Sequence, residues 1–286
     1  MTRIKADLML FTTALIWGSV FAIQRIASQT AGIFPFNATR FFLGALVLLL
    51  VVRFRWKPQG KQWLWIALAG TLLFTASAFQ QAGLRSTTAA NAGFITGAYV
   101  VVIPFILSIF LKQRISWRAW LAAGITAVGV FLLSVGSEVR LNPGDALELA
   151  GTFMWALHVI VVGKAVQKVD VMTFAIGQYL VVGTLNVIPA LTLERSAMSG
   201  LPGMWWAVVY AGVLSIAVGF TLQASAQKVA PPTDAAILLS LEAAFAALFG
   251  WWWLGETLQP LQWLGCAVIL AAILISQIRP ETSPVS

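Results

Sequence analysis

The chain has 286 residues, of which 59% are hydrophobic and 10% charged, with 18 Lys and Arg against 10 Asp and Glu. A soluble domain carries roughly 25% charged residues, so this low charge and a mean hydropathy of +0.87 exclude an ordinary globular protein. A single cysteine, Cys266, and a single histidine, His158, exclude a disulfide framework and a Cys/His metal site.

Apolar runs of roughly 20 residues recur along the whole chain, each long enough to cross a hydrocarbon layer of about 30 Å as a helix. In chain order the expected spans are 6–27, 36–53, 62–84, 89–111, 117–135, 145–164, 170–192, 202–226, 234–254 and 260–278. The first follows MTRIKAD, a basic start that imitates a secretory leader. The apolar run behind it is too long for one, however, and no small-residue cleavage site follows, so it is read as a membrane helix. The connections are short, and none could hold a soluble domain. The expected fold class is an all-α membrane protein with ten transmembrane helices.

Lys and Arg concentrate on the cytoplasmic side of membrane proteins, which orients the chain. If the first span runs outward, the inner side holds Arg3, Lys5, Arg53, Arg55, Lys57, Lys61, Lys112, Arg114, Arg118, Lys164, Lys168, Lys228 and Arg279, or 13 of the 18 basic residues. The outer side holds Arg25, Arg85, Arg140 and Arg195, with Arg40 about one turn inside the second span. Acidic Glu138, Asp145, Glu148, Glu194 and Glu256 fall mostly outside. Both termini are therefore expected in the cytoplasm. The net charge of +8 reflects topology and not a nucleic-acid partner. Eleven of the 13 tryptophans lie near span ends, as an interfacial aromatic belt requires, and only Trp17 and Trp155 fall mid-span.

The two halves of the chain resemble each other. ADLMLFTTALIWG (6–18) aligns with GDALELAGTFMWA (144–156), placing Asp7 on Asp145 and Trp17 on Trp155 at an offset of 138. LAG (68–70) answers YAG (210–212), Gln81 answers Gln223, and LKQRISWRAWLAAG (111–124) aligns with LGETLQPLQWLGCA (254–267), Trp120 on Trp263. This divides the chain into repeats at 1–138 and 139–286. Five spans per repeat is an odd number, so the second repeat runs opposite to the first across the membrane. Secondary transporters commonly use such inverted repeats and bind substrate between the halves near the midplane.

The stretch LEAAFAALFGWWWLGETLQPLQWLG (241–265) resembles the second-repeat signature of the drug/metabolite transporter superfamily, EamA type. TTAANAGFITGAYVVVIPF (87–105), with Pro104 in place, is similar to the matching part of the first repeat. Within that superfamily the chain resembles the YddG-type exporters of aromatic and other amino acids. The resemblance covers essentially the whole chain. It implies a multi-pass carrier of the bacterial inner membrane that moves small metabolites, with export preferred.

Ionisable groups within a membrane are functional candidates by default, because hydrocarbon penalises them by roughly 2.5–3.5 kcal/mol on insertion scales. By span position Glu242 and His158 lie near mid-depth. Together they could bind an amino-acid ammonium group or relay a proton. Alternatively, His158 is a core imidazole and Glu242 bonds a neighbouring helix. Trp17 and Trp155, one from each repeat, would supply aromatic walls for a flat or apolar substrate, or simply pack between helices. Phe79, Gln80, Tyr99, Gln178, Tyr179, Asn186 and Phe220 form a second rank, since uncharged polar groups also serve as interhelical hydrogen-bond partners. The expected substrate-binding set is Trp17, Phe79, Tyr99, Trp155, His158, Gln178, Tyr179 and Glu242. Arg40 is expected to snorkel to the outer headgroups instead of binding a carboxylate or phosphate. GFITG (93–97) and EAAFAALFG (242–250) carry small residues at spacings that allow close helix approach.

No phosphate-binding loop, H-E-x-x-H or G-x-S-x-G pattern occurs, so ATP is not the direct energy source and no catalytic, cofactor or metal residues are expected. An enzyme would have to be built from His158, Glu242 and Arg40, and a channel would need polar rings that are not evident. The expected function is a secondary transporter of small amphipathic metabolites, amino acids first and aromatic or bulky apolar ones among them. Broad-specificity drug or metabolite efflux is the alternative. The expected partners are that substrate and membrane lipids, without nucleic acid. Ten helices suffice to enclose a site, so a monomer is a workable unit.

Overall fold

The computed structural model describes residues 1–135, 143–257 and 259–277, and among them every regular element is helical. In chain order these are α1 (Arg3–Ser28), α2 (Ile33–Val51), α3 (Gln62–Gly83), α4 (Ala89–Ile109), α5 (Trp117–Val135), α6 (Pro143–Ala165), α7 (Val171–Thr192), α8 (Pro202–Ala226), α9 (Pro232–Leu254) and α10 (Pro260–Gln277). Their edges lie within three residues of the expected ones. Eight, α1–α4 and α6–α9, are long and apolar enough to cross a membrane, and Pro260–Ala272 of α10 is a shorter apolar helix. Glu138, Arg140, Arg279 and the expected repeat boundary at 138/139 lie outside the described residues.

The polarity of this bundle is that of a protein dissolved in lipid. Ile188 is 70% exposed and Leu50 57%, while His158, Gln178 and Asn186 are wholly buried. Water would not tolerate so large an apolar exterior, whereas acyl chains meet it without cost. Helices are also the form that lets a spanning segment satisfy its own backbone donors and acceptors.

Three helices depart from regular winding. α4 breaks at Ala98 and α9 at Ser240, each with a tight backbone turn near φ −60° and ψ between −11° and −14°. In α9 the Ser240 hydroxyl bonds back to the Ile237 carbonyl at 2.6 Å, the local competition that bends helices at serine. In α4 the break follows Gly97, and Pro104 further on removes a helix donor. α8 is wound as a π-helix over Ala211–Phe220. Such wide turns redirect carbonyls toward neighbours. Here the Gly219 carbonyl accepts from Thr13 Oγ1 at 3.2 Å and the Ser215 carbonyl from Trp17 Nε1 at 3.4 Å.

Packing pairs the helices crosswise. α1 lies against α8 and α9, α6 lies against α3 and α4, α2 packs on α7, and α5 packs on α10. Glycines of LAG (68–70) and YAG (210–212) do the same job. A Cβ on Gly70 would stand 3.2 Å from the Gln178 carbonyl oxygen, and one on Gly212 would stand 3.0 Å from that of Arg40. Gln178 follows Arg40 at the offset of 138 that relates Trp155 to Trp17. The two small-residue segments pack closely, as expected, and they do so on each other: a Cβ on Gly93 of α4 would fall 2.5 Å from that of Ala246 on α9.

α1 and α9 are also tied at both ends. Arg3 pairs with Asp234 at 2.9 Å, and Arg25 lies 3.8 Å from Glu256 at the other end of the bundle. Glu256 also accepts the backbone N–H groups of Ala89 and Ala90 at 3.1 and 3.3 Å, placing a negative charge at the positive end of α4.

The α1–α9 contact is closest at Gly18, where an added Cβ would overlap Phe245 and reach 2.9 Å from the Glu242 carbonyl oxygen. Gly18→Ala should therefore destabilise the protein by roughly 1–3 kcal/mol through overpacking. Gly124→Ala, where nothing lies within 4 Å of the new Cβ, should be neutral or slightly stabilising. Thermal denaturation of the two variants in one detergent checks this, and equal melting temperatures would contradict the close approach.

Candidate substrate cavity

A cavity lies within the bundle, walled by α1, α2, α3, α4, α6, α8 and α9. The irregular helices converge on it. Tyr99 and Glu242 follow the breaks in α4 and α9 by one and two residues, and Ser215 and Phe220 lie in the π-wound part of α8.

One wall is a continuous aromatic cluster. Phe220 is its centre, 4.5 Å from Trp17, stacked at 6.0 Å on Trp155, and 6.4 Å from Phe41 between ring centroids. Trp17 and Trp155 come together here at 6.5 Å with their planes 39° apart. The two expected aromatic walls are thus adjacent. The indoles already lie at the separation of a contacting aromatic pair, about 4.5–7 Å, which leaves no slot for a ring between them. They form one broad apolar face instead.

His158 is wholly buried and stands edge-on to Trp155 and Phe220 at 6.1 and 5.9 Å. Its Nε2 lies 3.0 Å from Gln178 Oε1, and with that oxygen as acceptor the imidazole donates from Nε2. Gln178 does not itself line the cavity; it orients the histidine that does. Tyr179 stands behind the aromatic wall, packed on Phe41 and Phe220, with its hydroxyl 3.1 Å from Thr221 Oγ1. Asn186 donates to the Val182 carbonyl at 2.8 Å and is a helix-internal contact. Phe79 lies between α3 and α6, beside Gly151, away from the cavity. Of the eight residues expected to bind substrate, the structure thus gathers Trp17, Tyr99, Trp155, His158 and Glu242 around one space and places Phe79, Gln178 and Tyr179 outside it.

Two charged residues occupy positions that the sequence reading did not give them. Arg40 is only 3% exposed and lines the cavity, its guanidinium lying 5.3 Å from the ring centres of both Phe36 and Phe41. The snorkelling expectation is overturned, because α2 begins at Ile33 and sets Arg40 two turns deep on the buried face. Asn37 and Gly44, three before and four after, are buried with it, a polar and small stripe that marks this face. Glu148, counted by its sequence position among the outer acids, is wholly buried. Its Oε2 accepts from Thr96 Oγ1 at 3.4 Å, and it packs into a notch left by the missing Cβ of Gly83. Glu148 lies four residues before Thr152 and seven before Trp155, a helical spacing that could have revealed it.

Several polar atoms of the lining residues are buried without a protein hydrogen-bond partner: Arg40 Nε, the Tyr99 hydroxyl, Trp155 Nε1, His158 Nδ1, Gln223 Oε1 and Glu242 Oε1. Buried polar groups in proteins are nearly always paired, so a concentration of both donors and acceptors at one cavity marks a surface suited to a polar guest. Among the described residues no group of three His, Cys, Asp or Glu side chains stands together as a metal site.

A many-helix bundle with an apolar exterior and a mixed polar and aromatic cavity defines a membrane carrier class. The chain belongs to the EamA-like transporter family, whose model matches residues 4–135 and again 142–277. It is 32% identical to an uncharacterized transporter of Archaeoglobus fulgidus, over 97% of this chain and 87% of that one. It is 23% identical to the uncharacterized inner membrane transporter YedA of Escherichia coli strain K12, over 93% of this chain and 88% of that one. Over 59% of this chain and 57% of the other, it is 29% identical to the threonine/homoserine exporter RhtA of the same strain. A crystal structure of a protein 20% identical superposes over 96% of this chain and 97% of that one with a TM-score of 0.77, which shows the fold alone. The chain is a multi-pass protein of the inner membrane.

Single cysteines in a Cys266→Ser background test the cavity directly. Thr96→Cys should react with a small water-soluble methanethiosulfonate, since Thr96 lines the space. Asn186→Cys, wholly buried between helices, should stay unlabelled. Labelling of both at the same rate would contradict a cavity that reaches Thr96 and excludes Asn186.

Proposed function

We propose that this protein is a secondary transporter that exports amino acids, aromatic or bulky apolar ones first, by alternating access across ten membrane crossings. The observation that carries the reading is the cavity itself, in which an aromatic face of Trp17, Trp155 and Phe220 shares one lining with the Glu242 side chain. An ammonium group is matched by the carboxylate and an apolar side chain by the aromatic face. Similarity to a threonine/homoserine exporter supports amino-acid cargo. The two family matches and the crosswise packing, with Gly70 and Gly212 seated on repeat-related carbonyls, support two inverted repeats of five helices around a shared cavity. The excess of basic residues at one end of the bundle supports cytoplasmic termini. Trp17, Tyr99, Trp155, His158 and Glu242 are the substrate contacts in this reading. Gln178 holds His158 in place, Tyr179 backs the aromatic wall, and Phe79 takes no part.

Counterflow of labelled phenylalanine in proteoliposomes holding the purified protein tests it. Accumulation should be blocked by several unlabelled amino acids. Trp17→Ala and Trp155→Ala should each weaken half-saturation by about threefold to tenfold, the size of one aromatic contact of roughly 0.5–1.5 kcal/mol. Phe79→Ala should stay within about twofold of the unaltered protein, an expected difference well below that of one aromatic contact. Absence of counterflow for every amino acid would overturn the cargo assignment and favour efflux of other metabolites.

A further inference from the structure

The cavity holds two ionisable side chains of opposite sign, Arg40 and Glu242, that do not pair. The ion pairs among the described residues join Arg3 to Asp7 and Asp234, Arg25 to Glu256, and Arg85 to Glu194, and none involves Arg40 or Glu242. Both of these side chains are 3% exposed and both line the same space. Arg40 enters from α2 with its guanidinium against the Phe36 and Phe41 rings and its Nε unpartnered. Glu242 enters from α9 beside the Tyr99 hydroxyl, with Oε1 unpartnered. Of the other titratable groups nearby, His158 bonds Gln178 through Nε2 and leaves Nδ1 unpartnered, Glu148, outside the lining, bonds Thr96 through Oε2 and leaves Oε1 unpartnered, and the Tyr99 hydroxyl faces Glu242.

A buried guanidinium and a buried carboxylate each need a counter-charge. An amine would satisfy Glu242 and leave Arg40 bare; a simple carboxylate would do the reverse. Only a molecule with a cation and an anion on one short frame satisfies both at once. On the reading of this protein as an amino-acid carrier, we propose that Arg40 and Glu242 form a zwitterion clamp. Arg40 takes the α-carboxylate, for which its planar fork is the geometric match, and Glu242 takes the α-ammonium. Trp17, Trp155 and Phe220 face the side chain. The clamp makes Arg40 a specificity-determining residue, selecting free α-amino acids over amines, amides, keto acids and drug-like cations.

The test uses the same proteoliposomes, with labelled phenylalanine and four unlabelled competitors: phenylalanine, phenylalaninamide, phenethylamine and 3-phenylpropionate. In the unaltered protein each of the last three should compete at least about tenfold more weakly than phenylalanine, because each lacks one charge that the site requires. Arg40→Gln should weaken phenylalanine by a similar factor and leave phenethylamine unchanged. Glu242→Gln should weaken phenylalanine and leave 3-phenylpropionate unchanged. Arg40→Lys, which keeps the charge but loses the fork, should lie between the unaltered protein and Arg40→Gln. Equal competition by phenethylamine in the unaltered protein overturns the clamp while leaving an amino-acid carrier in place, and this arm needs no variant to fold. Equal weakening of every competitor by Arg40→Gln, in protein that stays monodisperse on size exclusion, also overturns it and makes Arg40 a packing residue. No counterflow of phenylalanine or any other amino acid overturns the carrier reading on which the clamp rests.

Discussion

The constraint behind this architecture is that a backbone amide in hydrocarbon has no water to bond. It commits the chain to helices, and it also dictates where a helix can stop being regular. The breaks at Ala98 and Ser240 and the π-wound segment of α8 all border the cavity, where a side chain or another helix can meet the displaced groups. Ser240 satisfies its own turn, and the Ser215 and Gly219 carbonyls take donors from α1. Irregular backbone and candidate site therefore coincide for one reason: only an interior that supplies partners permits either.

Close approach of the helices depends on a second economy, that of side-chain volume. Without a hydrophobic force to press helices together in lipid, contact at small residues does that work. Gly18 lets α1 meet α9, Gly93 lets α4 meet α9, Gly70 seats α3 on α7 and Gly212 seats α8 on α2. The two ion pairs at the ends of the α1–α9 pair add a further tie between the same helices. The large residues are displaced outward to lipid or inward to the aromatic cluster around Phe220.

Charge is the third constraint. Arg40 rests against two aromatic rings, His158 against two more, and Glu148 in a notch made by Gly83. Each is thus held in one orientation by rigid neighbours. That is the condition for a binding group to recognise a ligand without first being ordered by it. A site of this kind is specific because its polar atoms have little freedom to find other partners.

Hydropathy runs, tryptophans at helix ends and the repeat-related tryptophans were all legible along the chain, since each is a property of local composition or spacing. The sequence by itself determined that the chain is a helical membrane protein, where its helices begin and end to within three residues, and that 93–97 and 242–250 carry small residues for close packing. It did not determine the rotation of each helix about its axis. Arg40 and Glu148 were judged by distance from a span edge, whereas the turns of α2 and α6 carry both side chains inward. Gln178, Tyr179 and Phe79 were judged by residue type, and a residue or a turn of offset put them behind the wall or beyond it. Length and hydropathy are sums over neighbours in the chain. The direction in which a side chain points is decided by which other helix packs against it, and that only the tertiary structure supplies.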